Sequence, residues 1–585
     1  MLCHDSHSPY YRQPAGPAPA GSNVRFRLVC DDAAGVILRT WMGEERAYPM
    51  TFDGDRVWEL SLTMPAEPGI YWYDFIIYHE DGHTWRYGAP DDDLGGEGHV
   101  CEGGLHSFRI TLYDPKWETP AWMHGANIYQ IFPDRFFRAP TQAVDDIRGR
   151  RKHEKWDEDL FPLRERENGS MDFYGGTLNG IRSKLPYLRE MGVTVLYLNP
   201  VFRSLHNHHY DTGDYTQIDP LLGTKADFDA LCRACREAGI EVMLDGVFSH
   251  TGQDSLYFNA FGHYNSIGAA QSEASPYYSW YSFEAYPTQY RCWWGDASLP
   301  ECRKNDPSYQ EFMFAPKEGI VPRWILEGAG GWRLDVADEL TMDFLRKLRK
   351  AAKGARKDAI VLGEVWEDAS NKESYGEVRC YCTGDTLDSV MNYPLREAIL
   401  NFARGFGTAW DLERLVRHQA EVYPAPFRYA LMNLLGSHDR ARVLNVLAGK
   451  ECRDLPRSVQ HRVKLTKAEY REAVARLKLC YDLLFALPGC PTVYYGDEAG
   501  MTGCSDPFCR MPFPWGKEDT DLQAYVRKKM REHRDSEVLR TGHCEIEAID
   551  ADTVRIRRFM LDGRDGLGQP TKEQAEKVYT IRRDA

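Results

Sequence analysis

The sequence has 585 residues, of which 43% are hydrophobic and 27% charged, an ordinary balance that allows a large buried core. At about 150 residues per domain, this length predicts roughly three or four domains. The net charge of −15 argues against nucleic acid as the main partner, since phosphate binding needs basic patches, and it leaves an uncharged substrate open.

The start of the sequence, MLCHDSHSPYYRQPAG, has no positive region followed by an apolar run, so no signal peptide is expected. No run of about 18 apolar residues occurs, so no membrane span is expected either. A cytoplasmic location with reduced thiols is the simplest reading. The 15 cysteines are odd in number and scattered. Cys232 and Cys235 lie within a helical pattern, and Cys504 and Cys509 bracket a loop. No second pair stands nearby at ligand spacing, so both read as ordinary residues rather than a metal or redox site.

Residues 1–21, rich in Pro, Gly and Ala, read as a loose tail. Residues 22–113 carry short alternating segments such as VRFRLVC, VWELSLTM and HSFRITLY, divided by turn signals at Asp53-Gly54 and Asp81-Gly82. This pattern predicts a β-sandwich. Over 114–540, eight strand candidates alternate with amphipathic helical stretches. They are ANIYQIF, VTVLYLNPVF, IEVMLDGVF, GGWRLDV, IVLGEVW, TLDSVMNY, ALMNLLGS and PTVYYGDE. That alternation predicts a (β/α)₈ barrel rather than an open sheet. The connection after the third strand, residues 251–307, is too long for a simple loop and reads as a small inserted subdomain over the barrel mouth. Residues 541–585 turn β-like again, and read as a short, incomplete domain with part of its apolar face unpartnered.

Catalytic groups in such barrels sit at the C-terminal ends of strands. Here the third strand ends at Asp245, the fourth at Asp335 and the fifth at Glu364, and the seventh runs into Asp439. One acid could be a structural ion pair. Four at one mouth repel each other, and that cost points to function. Arg333 lies two residues before Asp335 and so shares its face of the strand. A guanidinium there lowers the carboxyl pKa and suits Asp335 as nucleophile. Glu364, on the neighbouring strand, is then the general acid. A separation of about 5–5.5 Å between the two would mean retention. His250, His438, His208 and Tyr210 collect at the same mouth and fit hydrogen bonding to sugar hydroxyls. Tyr210 and Trp366 could stack on sugar faces. Trp332 alternates away from the mouth and reads as core, while Trp293 and Trp294 read as rim or core with equal weight.

In order along the chain, YGGTLNGIRSKLPYLREMGVTVLYLNPVF, NHHYDTGDY, DGVFSH, GWRLDVADE, LGEVW, LLGSHD and GCPTVYYGDEAGM resemble the signatures of the α-amylase family of glycoside hydrolases. The likeness is to its neopullulanase, cyclomaltodextrinase and maltogenic amylase branch. It implies a multidomain α/β chain whose (β/α)₈ barrel is flanked by β domains, acting on α-glucan oligosaccharides or polysaccharides without nucleic acid or membrane. It implies Asp335 as nucleophile, Glu364 as acid/base and Asp439 as the carboxylate that stabilises the distorted sugar. Arg333, His438, His250, His208, Tyr210 and Asp245 match the surrounding sugar-binding positions. The activity implied is retaining hydrolysis of α-1,4, and in some members α-1,6, glucosidic bonds. A transferase or an α-1,6 debranching enzyme are alternatives of the same class. A non-catalytic glucan-binding protein is a remote one, because such a descendant should have lost a carboxylate. The branch often pairs its sandwich into a homodimer.

Three departures stand out. Ser249 replaces the usual Asn in DGVFSH. Asp338-Glu339 replaces the Lys-His of true α-amylases and is closer to the branch's Asn-Glu. SLPECRKND keeps only the Pro of the branch's specificity segment. Relatives often bind calcium through the loop after the first strand. Here that loop, FFRAPTQAVDDIRGRRKHEKWDEDL, has no clear oxygen-ligand spacing, so no metal cofactor is expected to be required, calcium being the one the family would use.

Overall fold

The computed structural model describes residues 1–101, 104, 106–139, 149–160 and 169–583. Strands Asn23–Cys30, Ala33–Met42, Val57–Thr63, Gly69–His79 and Phe108–Tyr113 form from alternating apolar and polar residues. Successive side chains leave a strand on opposite faces, so one face of each is apolar. The result is two packed sheets of five and seven strands. Val24, Phe26 and Leu28 of one sheet share a core with Leu38, Tyr73, Phe75 and Phe108 of the other.

The loose tail expected over 1–21 is not what the structure holds. Leu2–Cys3 and Arg12–Gln13 pair with Asn23–Cys30, and Ala18–Pro19 pairs with Phe108–Tyr113. Arg12 explains the anchoring. It is fully buried and donates to the carbonyls of Ala15 (2.8 Å) and Arg109 (3.0 Å) and to the Tyr73 hydroxyl (3.3 Å). Its guanidinium also meets Glu421 at 3.2 Å, on the barrel helix Ala409–Val422, and His7 meets the same carboxylate at 2.9 Å. Composition alone reads as loose; one buried cation pins the segment. Beside it, Arg109 of the sandwich (2.6 Å) and His418 (2.9 Å) both hold Asp368.

Eight parallel strands form the barrel: β1 (Ile128–Ile131), β2 (Val195–Leu198), β3 (Glu241–Gly246), β4 (Gly331–Leu334), β5 (Ile360–Gly363), β6 (Ser389–Val390), β7 (Met432–Leu434) and β8 (Cys490–Tyr494). They pair in chain order, β8 pairs β1, and a bridge between Met391 and Met432 links β6 to β7. Alternation again sorts the side chains. Ile128, Val195, Tyr197, Met243, Ile360 and Leu362 form one cluster together with Met432 and Leu434 of β7. Trp332, Leu196, Val242 and Val361 join the separate core that includes the surrounding helices. Trp332 is therefore core, as its place in the alternation required. Helices Lys225–Glu237, Ala409–Val422 and Lys467–Ala486 each open with a capping box, Thr224/Asp227, Thr408/Asp411 and Thr466/Glu469. The paired side chains satisfy backbone N–H groups that the first turn leaves free.

Residues 251–307 carry one 3-10 turn, Tyr278–Trp280, and two short hairpins, Phe283–Ala285 with Gln289–Tyr290 and Cys292–Trp293 with Asp296–Pro300. The final three-stranded sheet, His543–Asp550, Thr553–Phe559 and Lys577–Arg582, does have a partner for its apolar face. Ile546, Val554, Ile556 and Ile581 are buried within the barrel's own core, and Arg558 donates to the carbonyl of Ala486 at 2.9 Å. All 15 cysteines are free thiols. Among the described residues no helix is long and apolar enough to cross a membrane.

Burial opposes the charge on Glu421, yet Arg12 and His7 hold its carboxyl down at about 2. Arg12→Ala leaves that buried charge with half its partners, and is expected to cost about 3–5 kcal/mol. The exposed Arg46→Ala should change stability by less than about 0.5 kcal/mol. Urea midpoints of the two variants that coincide would refute this account of the anchoring.

Candidate active site

The parallel register of β3 against β4 sets Asp245 directly beside Arg333. Arg333, fully buried, becomes the hub. Its Nη1 meets Asp245 at 2.8 Å and Asp335 at 3.2 Å, and its Nη2 meets Glu364 at 2.7 Å. One guanidinium thus gathers three of the four acids placed at the strand ends. Asp439 joins from the loop after β7, where His438 (3.2 Å) and Arg510 (3.5 Å) hold it.

The turn after Asp335 is strained. Val336 sits at φ 35° and ψ 69°, a left-handed conformation that costs a β-branched residue of order 1–3 kcal/mol. It aims the Val336 N–H at Glu364 Oε2, 2.9 Å away. The Trp366 indole N–H donates to the other oxygen, Oε1, at 3.1 Å. Trp366 itself stacks on Tyr393 at 4.0 Å, with the Arg440 guanidinium 4.3 Å over its ring. Tyr393 therefore packs on one face of Trp366, and the indole N–H fixes Glu364.

A second chain of hydrogen bonds crosses the barrel from β1. Gln130 donates to His438 Nδ1 at 2.9 Å. That leaves His438 Nε2 as the protonated nitrogen, 2.6 Å from the Tyr210 hydroxyl. Tyr210 donates in turn to Asp245 Oδ2 at 2.8 Å, and Tyr197 donates to the same oxygen at 2.6 Å. Burial holds His438 well below the usual histidine range, and the nearby Arg510 and Arg333 charges add to this, so it is a neutral donor. Tyr210 lies parallel to His438, ring centroids 5.3 Å apart.

The expected sugar-binding residues divide into two groups. Asp335, Glu364, Asp439, Tyr210, His208 and Trp366 reach the mouth. His250 does not. It is 1% exposed, and its two nitrogens face the Tyr210 carbonyl (3.1 Å) and Ser249 Oγ (2.9 Å). Asp245 and His438 are likewise about 1% exposed, so they position Arg333, Tyr210 and Asp439. Ser249, the replacement for the family's Asn, is spent on His250. Several participants escape a motif search. Gln130 carries only the alternation of β1 as a signal, and Tyr197 lies within the LYLNPVF segment without a role being assigned to it. Arg510 lies far along the chain from every acid. Trp294 is 77% exposed, stacks on Trp293 at 5.3 Å and donates to Glu339 at 2.9 Å, so this pair belongs to the rim. A cleft of about 460 Å³ lies between it, Lys304, Glu339 and Tyr375. Much of the loop in which calcium ligands were sought, residues 140–148, lies outside the described residues.

The charge balance differs from the expectation for Asp335. Burial pushes its carboxyl well above the ordinary range, Arg333 opposes this, and the neighbouring carboxylates reinforce it. Burial also raises Glu364, against the pull of Arg333. The carboxylates gathered at Arg333 and Asp439 act on one another's charge, so no one of them titrates alone.

The acids that follow β4 and β5, clasped by one arginine, stand at the C-terminal face of an eight-stranded parallel barrel, where barrel enzymes carry their catalytic groups. The family model described as alpha amylase, catalytic domain, matches residues 130–544, and the chain belongs to the alpha-amylase family. It is 36% identical to an amylopullulanase of Thermoanaerobacterium saccharolyticum, over 99% of this chain and 48% of that protein. It is 32% identical to a cyclomaltodextrinase of Geobacillus thermopakistaniensis, over 84% of this chain and 74% of that one. The solved cyclic alpha-maltosyl-(1→6)-maltose hydrolase of Arthrobacter globiformis superposes with a TM-score of 0.63 at 33% identity, covering 76% of this chain and 90% of its own. The chain spans 48%, 42% and 33% of the lengths of three amylopullulanases it matches.

A carboxyl raised by folding is a cost that grows with pH. The native state holds protons that the unfolded chain releases above the ordinary carboxyl range, so stability falls as pH rises through the raised native value. Glu364→Gln removes that cost. The variant should melt higher than the parent at neutral pH, with the gap closing on acidification below the ordinary glutamate range. A variant that melts lower at neutral pH would show that Glu364 is held by more than it repels.

Proposed function

We propose that the chain is a retaining hydrolase of α-glucosidic bonds in maltodextrins, cyclodextrins, pullulan or starch. The observation that carries the reading is the clasp of Asp335 and Glu364 on one guanidinium, 3.2 Å and 2.7 Å away. An Asp335 oxygen attacks the anomeric carbon while the bond from that carbon to the glycosidic oxygen breaks. Glu364, its pKa raised by burial, gives its proton to the departing oxygen. Glu364 then takes a proton from water, which attacks the same carbon and frees Asp335. Asp439, open to the mouth, lies across the sugar that carries the developing positive charge. Nothing in this sequence of steps calls for a metal.

The relatives' names point to pullulan, cyclomaltodextrins and a cyclic α-1,6-linked maltose dimer, which supports an α-glucan over other glycans. The stacked Trp293–Trp294 rim and its cleft offer aromatic faces on which a sugar can stack. Retention of a pair of catalytic acids with their arginine speaks against a binding protein that has lost activity.

Asp335→Asn should fold as the parent does and lose at least about 10⁴-fold in kcat/KM on pullulan, soluble starch and β-cyclodextrin. Chromatography of the parent's products then fixes the bond, panose from pullulan marking α-1,4 cleavage and maltotriose α-1,6. A parent inert on all three substrates, or an active Asp335→Asn, would overturn the assignment.

A further inference from the structure

The hairpin formed by Phe202–Ser204 and Thr212–Ile218 brings the two ends of its loop together beside the mouth. The loop places His206 Nδ1 3.0 Å from Asp211 Oδ2, and His208 Nδ1 3.9 Å from Asp211 Oδ1. The two imidazoles lie 5.2 Å apart and nearly parallel, 24° between their planes. One ligand atom from each of the three residues falls within 4.8 Å of the others.

An ordinary ion pair accounts for His206 and Asp211 Oδ2. It does not account for Oδ1. Asp211 is 3% exposed, and its Oδ1 has no hydrogen-bond donor. The atom facing it, His208 Nδ1, accepts the Tyr210 N–H at 3.0 Å and so presents no proton of its own. An acceptor therefore faces an acceptor in a buried position, an arrangement that costs energy unless a cation stands near both. We propose that His206, His208 and Asp211 bind one divalent transition-metal ion of the zinc type at the mouth of the barrel. Two imidazoles and one carboxylate are donors that zinc takes, with a fourth position left for water. Calcium, which takes about six to eight oxygens, does not fit this set. Donors about 2.0–2.1 Å from a tetrahedral ion lie roughly 3.3 Å from each other, so the loop need shift only slightly. The ion replaces the Tyr210 N–H at His208 Nδ1.

The position gives the ion an effect. Tyr210, between two of the ligands in sequence, carries the hydrogen bonds from His438 to Asp245. Its ring also lies 6.0 Å from that of His208. An ion bound there takes hold of the loop that presents Tyr210 and restrains turnover; this part rests on the hydrolase reading, while the binding does not.

The test titrates zinc chloride alone into the metal-free full chain by calorimetry, for the parent and His206→Ala. His206 touches none of the reacting groups, so the variant without zinc should match the parent in turnover, while loss of its ion pair with the buried Asp211 lowers the melting temperature. Removing His206 should weaken one equivalent of zinc at least about tenfold. Cobalt in its place should give visible bands of a four-coordinate nitrogen and oxygen site, without the near-ultraviolet band of a thiolate. Zinc should slow the parent and spare the variant. Unchanged zinc affinity in His206→Ala overturns the proposal, as does a thiolate band, which would move the ion to a cysteine. His206→Gln, whose amide can still donate to Asp211, is titrated beside it under the same affinity criteria, so that a loss of stability is separated from a loss of zinc binding. An enzyme that binds zinc as expected but turns over no glucan would fail the hydrolase reading alone.

Discussion

Arg333 is the constraint from which the site is built. It has no exposure, and three carboxylates from three strands reach it within 3.2 Å. A buried guanidinium needs anions, and buried carboxylates need a cation. One positive charge cannot satisfy three negative ones, so the cluster keeps protons at a pH where exposed carboxylates have lost them. That retained proton is what a general acid needs. The electrostatic imbalance of the native state and the competence of the site are thus one property.

Much of this was legible in the sequence, for a geometric reason. Alternation along a strand is rigid, so Arg333 and Asp335 had to share a face and Trp332 had to turn its back on them. Three helix starts hold a local signal of the same kind, a Thr with an acid three residues on that together form a capping box. What sequence could not supply was charge in three dimensions. The expected effect of Arg333 on Asp335 was right in sign, but burial works against it and is the larger effect. His250 looked like a sugar ligand because it follows a strand end. Only packing reveals that both its nitrogens already have partners. The Pro- and Gly-rich start looked loose because composition does not register one arginine that finds a buried glutamate some 400 residues away along the chain.

The site also rests on a conformation that no pattern announces. Valine disfavours the left-handed region, yet Val336 occupies it. The strain places a backbone N–H on Glu364 at the step between β4 and the helix that follows, and Trp366 holds the opposite oxygen. Glu364 is thereby fixed from two directions and by Arg333 from a third. The hydrogen-bond chain from Gln130 through His438 and Tyr210 to Asp245 does the same for the other side of the mouth.

Asp368 lies only four residues beyond Glu364, on the loop that leaves β5. It is gripped at once by Arg109 of the sandwich and His418 of the barrel. The sandwich is therefore not an interchangeable attachment. Exchanging it for a relative's would succeed only if the donor carried an arginine at the same place. Otherwise the graft would leave Asp368 with only its barrel partners, His418, Tyr423 and Ser370, on the very loop that carries the acid. Modular shuffling of this β domain is limited by the cations it lends to two barrel carboxylates, Asp368 and Glu421.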